Sequence, residues 1–489
     1  MPRNHTAAYG ATTSPSTVAE LPAVYLETWK RSGGLSRLHI DNAESYAQTT
    51  PWWQATGSWR VKIINGTMYL KMLTAQPHWS ERTNVLRLLL AVVQQSYQHA
   101  PASDISAPWH DRSRIPDVDF VYVHNDNDMT PTRRYPRCPR FNGTGCVASY
   151  IPLFTNSHAR GRTSIPVPEF SWAGWQAHTP PWCKLFPELL LAGSVPWRNR
   201  TDVAFFSGGL STNGDRKRLR ALAQSSDEAR ALLRVRDVAP HFFVPSRSMN
   251  VKAGRAQTLS LTSACGYRYL ISLPGYGYSN RLKTLLLCGG VVLHKPYASE
   301  EYFMPLLRPD THLVHIPKTS DILPTLRRLR ANESLAQSIA AAGRRVAVSS
   351  LRHDQVLAYW QSLLRSYSSI QRERVAAATP DYIRVESLED LARAAGQCST
   401  CPPPKKQKSP PSLSGGVDVG AKPTESAASR LASWLVRSGG RRLAQKSKGT
   451  CSAAASLPPE QRKPRCCTGW DCATSPSLCS ETSDVRQIT

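Results

Sequence analysis

Acidic residues are scarce in this chain of 489 residues, where 35 Asp and Glu stand against 61 Lys and Arg and leave a formal net charge of +26. Such a charge is compatible with nucleic acid, an anionic membrane surface or a phosphate-bearing small molecule as partner. The sequence also lacks a dense basic block and a basic–aromatic repeat, which argues against a nucleic-acid-binding protein. We therefore expect no nucleic-acid partner.

Long apolar runs are also absent. No stretch of about 18 apolar residues occurs, so we expect no transmembrane segment in this sequence, and residues 1–17 lack the apolar centre of a signal peptide. The sequence does contain Asn-x-Ser/Thr sequons, which are typical of secretory proteins, at Asn4, Asn65, Asn142, Asn199 and Asn332. We expect the protein to reside in the lumen of the endoplasmic reticulum or Golgi, with its targeting segment missing from this sequence. A cytoplasmic location is the alternative.

Paired CxxC units at zinc-ribbon spacing are lacking among the 12 cysteines, so nothing indicates a structural zinc site. Hydrophobic residues make up 41% of the chain and charged residues 20%, which permits a sizeable core. Residues 396–489 differ, because they are rich in Pro, Ser, Lys and Ala and poor in aromatic residues. We expect this tail to be disordered.

From about residue 51, predicted strands alternate with predicted helices, which is typical of parallel sheets covered on both faces. The fold class predicted is α/β, with two such domains in tandem and the binding site at the carboxyl ends of the strands. The predicted parts are a polar N-terminal segment (1–50), a first α/β domain (51–195), a second, Rossmann-like domain (196–375), a connecting segment (376–395) and the disordered tail (396–489).

The segment 275–283, Gly-Tyr-Gly-Tyr-Ser-Asn-Arg-Leu-Lys, is the most informative part of the sequence. Its glycines let the backbone approach a ligand closely. Ser279 and Asn280 are predicted to cap a helix, with Arg281 in its first turn. A loop and helix start of this kind favour an anion such as a diphosphate. Surface charges on an amphipathic helix are the alternative interpretation of Arg281 and Lys283.

Two further segments contain residues suited to binding a phosphate or to accepting a proton. At 204–218 a predicted strand, a Gly-Gly turn and a helix place Arg216 where it can grip a phosphate; an ordinary turn with a solvent-facing Arg is the alternative. At 116–126 a buried strand ends in Asp126, placed to accept a proton from an acceptor hydroxyl, although most such Asp residues are caps. Asp126 and Asp128 also match a weak Asp-x-Asp metal-binding pattern.

Taken in order, these segments resemble glycosyltransferase family 90, the capsule-associated (CAP-type) family that includes Rumi-like protein O-glucosyltransferases and fungal xylosyltransferases. Segment 116–126 is similar to the family's Pro-Asp-x-Glu-Phe-Val element, and 165–168 with Trp172 and Trp175 to its Ile-Pro-x-Pro…Trp element. Segments 205–216, 265–270 and 275–290 resemble its Gly loop, its Cys-x-Tyr-x-Tyr-Leu strand and its Ser-x-Arg-x-Lys…Cys-Gly element. The resemblance covers residues 50–370.

The resemblance implies a GT-B-like arrangement of two Rossmann-like domains facing across a cleft, with an acceptor-side domain at 51–195 and a nucleotide-sugar-binding domain at 196–375. It also implies a UDP-glucose or UDP-xylose donor, inversion at the anomeric carbon, and no required metal or other cofactor. Asp126 would be the general base, and arginine would replace a metal ion at the diphosphate. The donor-binding residues carried over by position are Gly208, Gly209, Arg216, Tyr276, Gly277, Tyr278, Ser279, Asn280 and Arg281.

Some positions remain open at this stage. Asp128 competes with Asp126 for the role of base, because it stands where family members often have Pro. Trp172 and Trp175 are expected either to stack on sugar or peptide or to pack in the core. The resemblance also implies a disulfide between Cys265 and Cys288, and an oxidising compartment would suit a Cys138–Cys146 pair too.

The function predicted is that of an inverting glycosyltransferase that moves glucose or xylose from a UDP-sugar to a hydroxyl of a protein or glycan acceptor. The alternative is a catalytically inactive basic relative that binds anionic glycan or RNA. One hydroxymethyl group distinguishes glucose from xylose, and the sequence alone does not choose between them.

Overall fold

The computed structural model describes residues 15–49, 57–74, 83–98, 115–128, 130, 151–174, 179–238 and 260–395. All of them belong to one compact unit, and the predicted tail lies outside the described residues. Among the described residues, every helix is too short or too polar to cross a bilayer. The helices are α1 (Leu21–Arg31), α2 (Arg37–Thr49), α3 (Asn84–Gln98), α4 (Trp182–Ala192), α5 (Gly214–Gln224), α6 (Asp227–Leu232), α7 (Leu282–Cys288), α8 (Ile322–Ala331), α9 (Glu333–Ser350), α10 (His353–Ser368) and α11 (Leu388–Ala394).

The first sheet has six strands and is only partly parallel. In spatial order they are β13 (Ile383–Val385), β2 (Thr67–Thr74), β1 (Ser58–Ile64), β3 (Val118–Val123), β4 (Leu153–Thr155) and β6 (Ile165–Pro166). The pairs from β13 to β3 are antiparallel, and the pairs β3–β4 and β4–β6 are parallel. The sequence predicted a parallel sheet here, and the structure corrects that for half of the strands.

A tight turn explains the antiparallel half. Asn65 and Gly66 join β1 to β2 with φ values of 49° and 75°, the left-handed conformation that two-residue hairpin turns require and that Asn-Gly supplies at low cost. Along β1, Trp59, Val61 and Ile63 enter the main core. Arg60, between them on the other face, donates to Asp119 through Nε and Nη2 at 2.9 and 2.8 Å.

The second sheet is entirely parallel. Its five strands, in spatial order, are β12 (Val314–His315), β10 (Val291–His294), β9 (Tyr267–Ser272), β7 (Thr201–Gly208) and β8 (Leu233–Asp237). Counted along the chain, this is the order 2-1-3-4-5 of one class of doubly wound sheets, in which ligands bind where the order reverses. Here the reversal falls between β7 and β9.

Two features connect the halves of the chain. A short antiparallel pair joins β5 (His158–Ala159) to β11 (Ser299–Glu300). In addition, α10 follows the second sheet in sequence but packs against α1 and α3 beside the first. Within α10, Tyr359 donates to the carbonyl of Pro166 at 2.5 Å and Tyr367 packs edge-on against Phe154. The chain thus returns to the first sheet after completing the second.

The predicted disulfide between Cys265 and Cys288 is confirmed. It ties the start of β9 to the end of α7, and it closes a loop with a sequence separation of 23. In the chain-entropy description, a cross-link of this span stabilises the folded state by about 3 kcal/mol. Cys183 is also disulfide-bonded, whereas Cys138 and Cys146 lie outside the described residues.

Candidate functional site

The candidate site lies where β7 and β9 end side by side. After β7 the chain turns at Gly208 and Gly209 into α5, and after β9 it runs through residues 273–281 into α7. Because parallel strands point their carboxyl ends to one edge, these two loops meet there. Asn213 fastens them together, since its side-chain amide donates to the carbonyl of Gly275 at 2.9 Å.

Helix α7 begins later than the sequence predicted. Arg281 is its N-cap residue and makes no side-chain capping bond, and the helix is only 7 residues long. Neither Ser279 nor Asn280 therefore acts as its cap. The carbonyl of Asn280 instead accepts a hydrogen bond from Lys283 Nζ at 2.8 Å. Attraction for an anion at this site has to come from side chains, because so short a helix has a weak dipole.

Arg216 supplies the first of these cations, from the first turn of α5. Its Nε donates to the carbonyl of Pro274 at 2.7 Å, and its Nη1 donates to Thr212 Oγ1 at 2.9 Å. A Cβ at Gly275 would lie 3.3 Å from its Nη2, so glycine gives the guanidinium room. Burial lowers the pKa of Arg216 to about 10, because removal from water disfavours the charged form.

Arg281 supplies the second cation. Its guanidinium carbon lies 4.7 Å from the ring centre of Phe206, over which Arg216 also lies at 5.6 Å. A Cβ at Gly208 would come within 2.9 Å of Arg281 Nη1, so only glycine suits that position without a shift. Burial, and then the charge of Arg216, lower the pKa of Arg281 well below its usual value.

The two guanidinium groups have no anionic partner among the described residues. All the partners of Arg216 are carbonyl groups or a hydroxyl, and Arg281 Nη2 is buried without any hydrogen-bond partner. An uncompensated buried charge costs several kcal/mol. Two of them side by side therefore favour the binding of a multiply charged anion, such as a diphosphate whose oxygens face both forks.

Asp126 lies directly against the glycine-rich loop. A Cβ at Gly277 would collide with the carbonyl group of Asp126 and would lie 2.9 Å from its Cβ. Asp126 is half-buried, and its carbonyl accepts a hydrogen bond from Ser157 Oγ at 3.3 Å. The end of β3 in the first sheet thus lies against the loop that follows β9 in the second sheet, so the segments of Asp126 and Arg281 come together.

Asp128 has a structural role. It is buried, and its carboxylate accepts hydrogen bonds from the backbone N–H and hydroxyl of Thr130, from the N–H of Ala159 and from Ser164 Oγ, at 2.9, 2.6, 2.8 and 2.5 Å. Both oxygens are occupied by these bonds. Asp126 is therefore the better candidate for the base, and the Asp-x-Asp metal pattern loses one of its two ligands.

Of the two tryptophans predicted to stack or to pack in the core, the structure describes Trp172. Trp172 is 1% exposed and packs against Trp182, Tyr302 and Phe303 with ring centres 4.9, 5.7 and 6.2 Å away. The core-packing alternative therefore describes Trp172, which has no free face for a sugar. Trp175 lies outside the described residues.

The other loop residues differ in exposure. Tyr276 is 54% exposed at the surface, whereas Tyr278 is half-buried with its hydroxyl inside the protein. Burial raises the pKa of this phenol well above the usual value. The hydroxyl groups of Tyr278 and Ser279 are buried without a hydrogen-bond partner. The loop therefore presents unsatisfied polar atoms beside the two arginines.

Sequence reasoning missed a buried charge cluster under the loop. Lys283 Nζ lies 2.7 Å from Glu169 Oε1 and 3.6 Å from Glu301 Oε2, and all three side chains are nearly inaccessible. Lys283 therefore stabilises the loop from the protein interior and is not a surface charge. Burial raises the pKa of the Glu301 carboxyl to about 8 against the opposing effect of Lys283. No local pattern reveals this cluster, because its members come from three distant segments.

The chain is similar to known proteins over more than half of its length. A model of glycosyl transferase family 90 matches residues 109–411, more than half of the chain. Protein O-glucosyltransferase 1 of Rattus norvegicus is 29% identical over 269 residues, which cover 52% of this chain and 63% of the relative. O-glucosyltransferase rumi of Drosophila pseudoobscura pseudoobscura is 28% identical over 269 residues, covering 52% and 61%. The chain thus spans less than two thirds of the length of these relatives.

Proposed function

This chain belongs to glycosyltransferase family 90, and from that membership we propose that it is an inverting glycosyltransferase that moves glucose or xylose from a UDP-sugar to a hydroxyl of a protein or glycan acceptor. The relatives are named O-glucosyltransferases, so UDP-glucose is the first donor to consider. The similar rat protein is named for a protein acceptor, which favours a protein hydroxyl here.

One observation carries the proposal: Arg216, which is buried, and Arg281, whose Nη2 is buried, lie over the same ring without a carboxylate partner among the described residues, and Asp126 lies against the adjoining loop. Two cations matched to a diphosphate and one carboxylate beside them are the groups that an inverting transfer needs. The parts come from both sheets, which fits a GT-B-like pair of domains.

The mechanism follows from these groups. The Asp126 carboxylate accepts the proton of the acceptor hydroxyl as its oxygen attacks the anomeric carbon of the donor. The bond from that carbon to the diphosphate oxygen breaks on the opposite face, so the configuration inverts. The negative charge that develops on the departing UDP is stabilised by the guanidinium groups of Arg216 and Arg281, which are held in place before the reaction begins. We propose that they make a divalent cation unnecessary.

Turnover of UDP-sugars by the full chain tests this function. We expect UDP release from UDP-glucose or UDP-xylose, faster with an acceptor protein that exposes serine hydroxyls, and unchanged by EDTA. Activity lost in EDTA and restored by manganese would contradict the metal-free mechanism. Salt-sensitive binding to heparin or RNA, with neither UDP binding nor UDP release, would overturn the function in favour of an inactive basic relative.

We also propose that the protein works in the lumen of the secretory pathway. A disulfide such as Cys265–Cys288 persists in an oxidising compartment. Three of the sequons lie among the residues that the structure describes, and their asparagines, Asn65, Asn199 and Asn332, are exposed. In protein isolated from its own cells without reductant, we expect Cys265 and Cys288 to resist alkylation and a glycosidase specific for N-linked glycans to lower the mass. Free thiols together with an unchanged mass would indicate the cytoplasm.

A further inference from the structure

Lys283 joins three segments of the chain in the protein interior, beside the glycine-rich loop. It is 1% exposed, and its Nζ donates to Glu169 Oε1 at 2.7 Å and to the carbonyl of Asn280 at 2.8 Å. Nζ also lies 4.8 Å from the ring centre of Trp172 and 3.6 Å from Glu301 Oε2. A lysine ammonium has three N–H donors, and this one is surrounded by groups that attract a positive charge.

The contact with Asn280 bears directly on Arg281. The carbonyl that Lys283 holds belongs to the peptide group that ends at the nitrogen of Arg281, and a peptide group is planar. A hydrogen bond to its oxygen therefore restricts the direction in which the Arg281 side chain leaves the backbone. The backbone bonds of α7 reach only to the carbonyl of Arg281, which accepts from the N–H of Leu285 at 3.0 Å. Lys283 extends this support by one residue.

Glu169 is held in place on the side of the first sheet. It is buried, it follows β6, and it caps the short helical turn Phe170–Ala173. Its carboxylate accepts from the backbone N–H of Ser171 at 2.7 Å and from the hydroxyl of the same residue. Strand β6 belongs to the same sheet as β3, after which Asp126 follows. The Lys283–Glu169 pair therefore links the loop of Arg281 to the sheet of Asp126.

Stability alone is a poor reason for a buried ion pair of this kind. Taking two charges out of water costs about as much as their attraction returns, and well-packed apolar side chains of similar volume are often equally stable. Hydrogen bonds between charged groups have, in addition, a preferred geometry, so they fix the relative position of the segments that carry them. The pair thus suits a part of the fold where the position of a neighbouring group matters.

We propose that Lys283 and Glu169 are positioning residues, which fasten the glycine-rich loop to the first sheet and so hold the Arg281 guanidinium in place relative to Asp126. They act through Arg281 and do not themselves bind the donor. This inference rests on the proposed glycosyltransferase function and adds two residues to it, neither of which contacts the reacting groups.

The test removes both charges at once, in the double variant Glu169→Gln/Lys283→Met. Both new side chains have nearly the size of the old ones. The remaining member of the cluster is Glu301, whose carboxyl pKa is raised to about 8 by burial, so it stays mostly protonated near pH 7. Because no buried charge loses its partner, we expect a melting temperature close to that of wild type.

Activity should fall although the fold is kept. We expect kcat for UDP release from UDP-glucose, with an acceptor protein that exposes serine hydroxyls, to drop about tenfold to a hundredfold, the usual cost of misplacing a group by about 1 Å. The Kd for UDP from calorimetry should stay within about threefold, because a displaced Arg281 still attracts the diphosphate but no longer matches the charge that develops during transfer.

A double-mutant cycle with Arg281→Met separates positioning from a general structural role. In the Arg281→Met background, the replacements at 169 and 283 should lower kcat by less than about twofold, since the group that they position is already missing. A purely structural role predicts instead that the two losses multiply.

Arg60→Met/Asp119→Asn is the matched control. It also removes a buried ion pair, whose side chains are 8% and 6% exposed, but Asp119 lies near the start of β3, at the opposite end of that strand from Asp126. Glu44, which also contacts Arg60, keeps Lys71 as its partner at 2.9 Å. The folded fraction of this control should turn over the donor as wild type does.

If the double variant at 169 and 283 does not fold, Glu169→Gln alone enters the same cycle, because Lys283 then keeps Glu301 as its counter-ion. It should lose a smaller part of kcat, and only when Arg281 is present. Unchanged kcat in the folded variant, or losses that multiply in the Arg281→Met background, would overturn the inference alone. A wild-type protein that neither binds UDP nor releases it overturns the proposed function as well.

Discussion

Replacing Asp126 with asparagine is expected to lower kcat for sugar transfer by about 10²–10⁴-fold, the usual contribution of a general base. Asparagine has nearly the same shape but does not accept the proton of the acceptor hydroxyl. The Kd for UDP should not change, because Asp126 contacts the loop through its backbone and Cβ. Steady-state kinetics with a saturating donor, together with calorimetry of UDP binding, measure the two quantities separately.

Asp128→Asn is the matched comparison for this prediction. The carboxylate of Asp128 accepts four hydrogen bonds inside the protein, and an asparagine amide cannot accept all of them. The substitution should therefore lower the melting temperature, while the folded fraction still turns over the donor. Asp117→Asn, at an exposed position before β3, should affect neither quantity. Full activity of Asp126→Asn beside a folded but inactive Asp128→Asn would transfer the role of base to Asp128.

Replacing Arg281 with methionine is expected to change stability and function in opposite directions. The variant should lose about 10²–10³-fold in kcat, as when a preorganised group that stabilises developing charge is removed, and should bind UDP about tenfold to a hundredfold more weakly. Without ligand it should melt at a higher temperature than wild type, because it no longer buries an unpaired cation beside Arg216.

Thermal melts with and without UDP measure both effects of Arg281→Met. UDP should raise the melting temperature of wild type markedly and that of the variant little, because only binding to the folded state contributes. Arg327→Met removes a surface arginine that pairs with Glu228 at 2.6 Å, and it should leave UDP binding as in wild type. A variant that binds UDP normally, or one that melts lower both with and without UDP, would contradict the assignment of Arg281 to the diphosphate.

The parallel sheet was the more predictable half of the fold. Its central strands contain runs of buried apolar residues, so their pattern indicates strands directly, as for β9 and β10. The exception is β8, because the sequence pattern predicts one helix from 215 to about 234 and no strand after it, whereas β8 begins at Leu233. That helix ends at Gln224, Ser226 caps a second short helix through the N–H of Ala229, and the strand follows. Serine at a cap interrupts an otherwise continuous helical pattern.

Within the site, sequence reasoning identified Arg216, Arg281 and Asp126, whose positions after predicted strands bring them to one edge of the fold. It missed the residues whose meaning depends on tertiary packing. Lys283 has the spacing of a surface residue, yet it pairs with Glu169, more than a hundred positions away.

The return of α10 to the first sheet has a practical consequence for anyone who wants to study the nucleotide-binding half by itself. A gene cut between the two sheets would leave Trp360 and Tyr367 without Phe154, the ring against which both pack. It would also remove from α1 the helix that covers it. Both fragments would expose aromatic surface and tend to aggregate. Because the order of the segments makes the two halves depend on each other, a minimal donor-binding fragment would need polar residues on the face of α10 that the cut exposes.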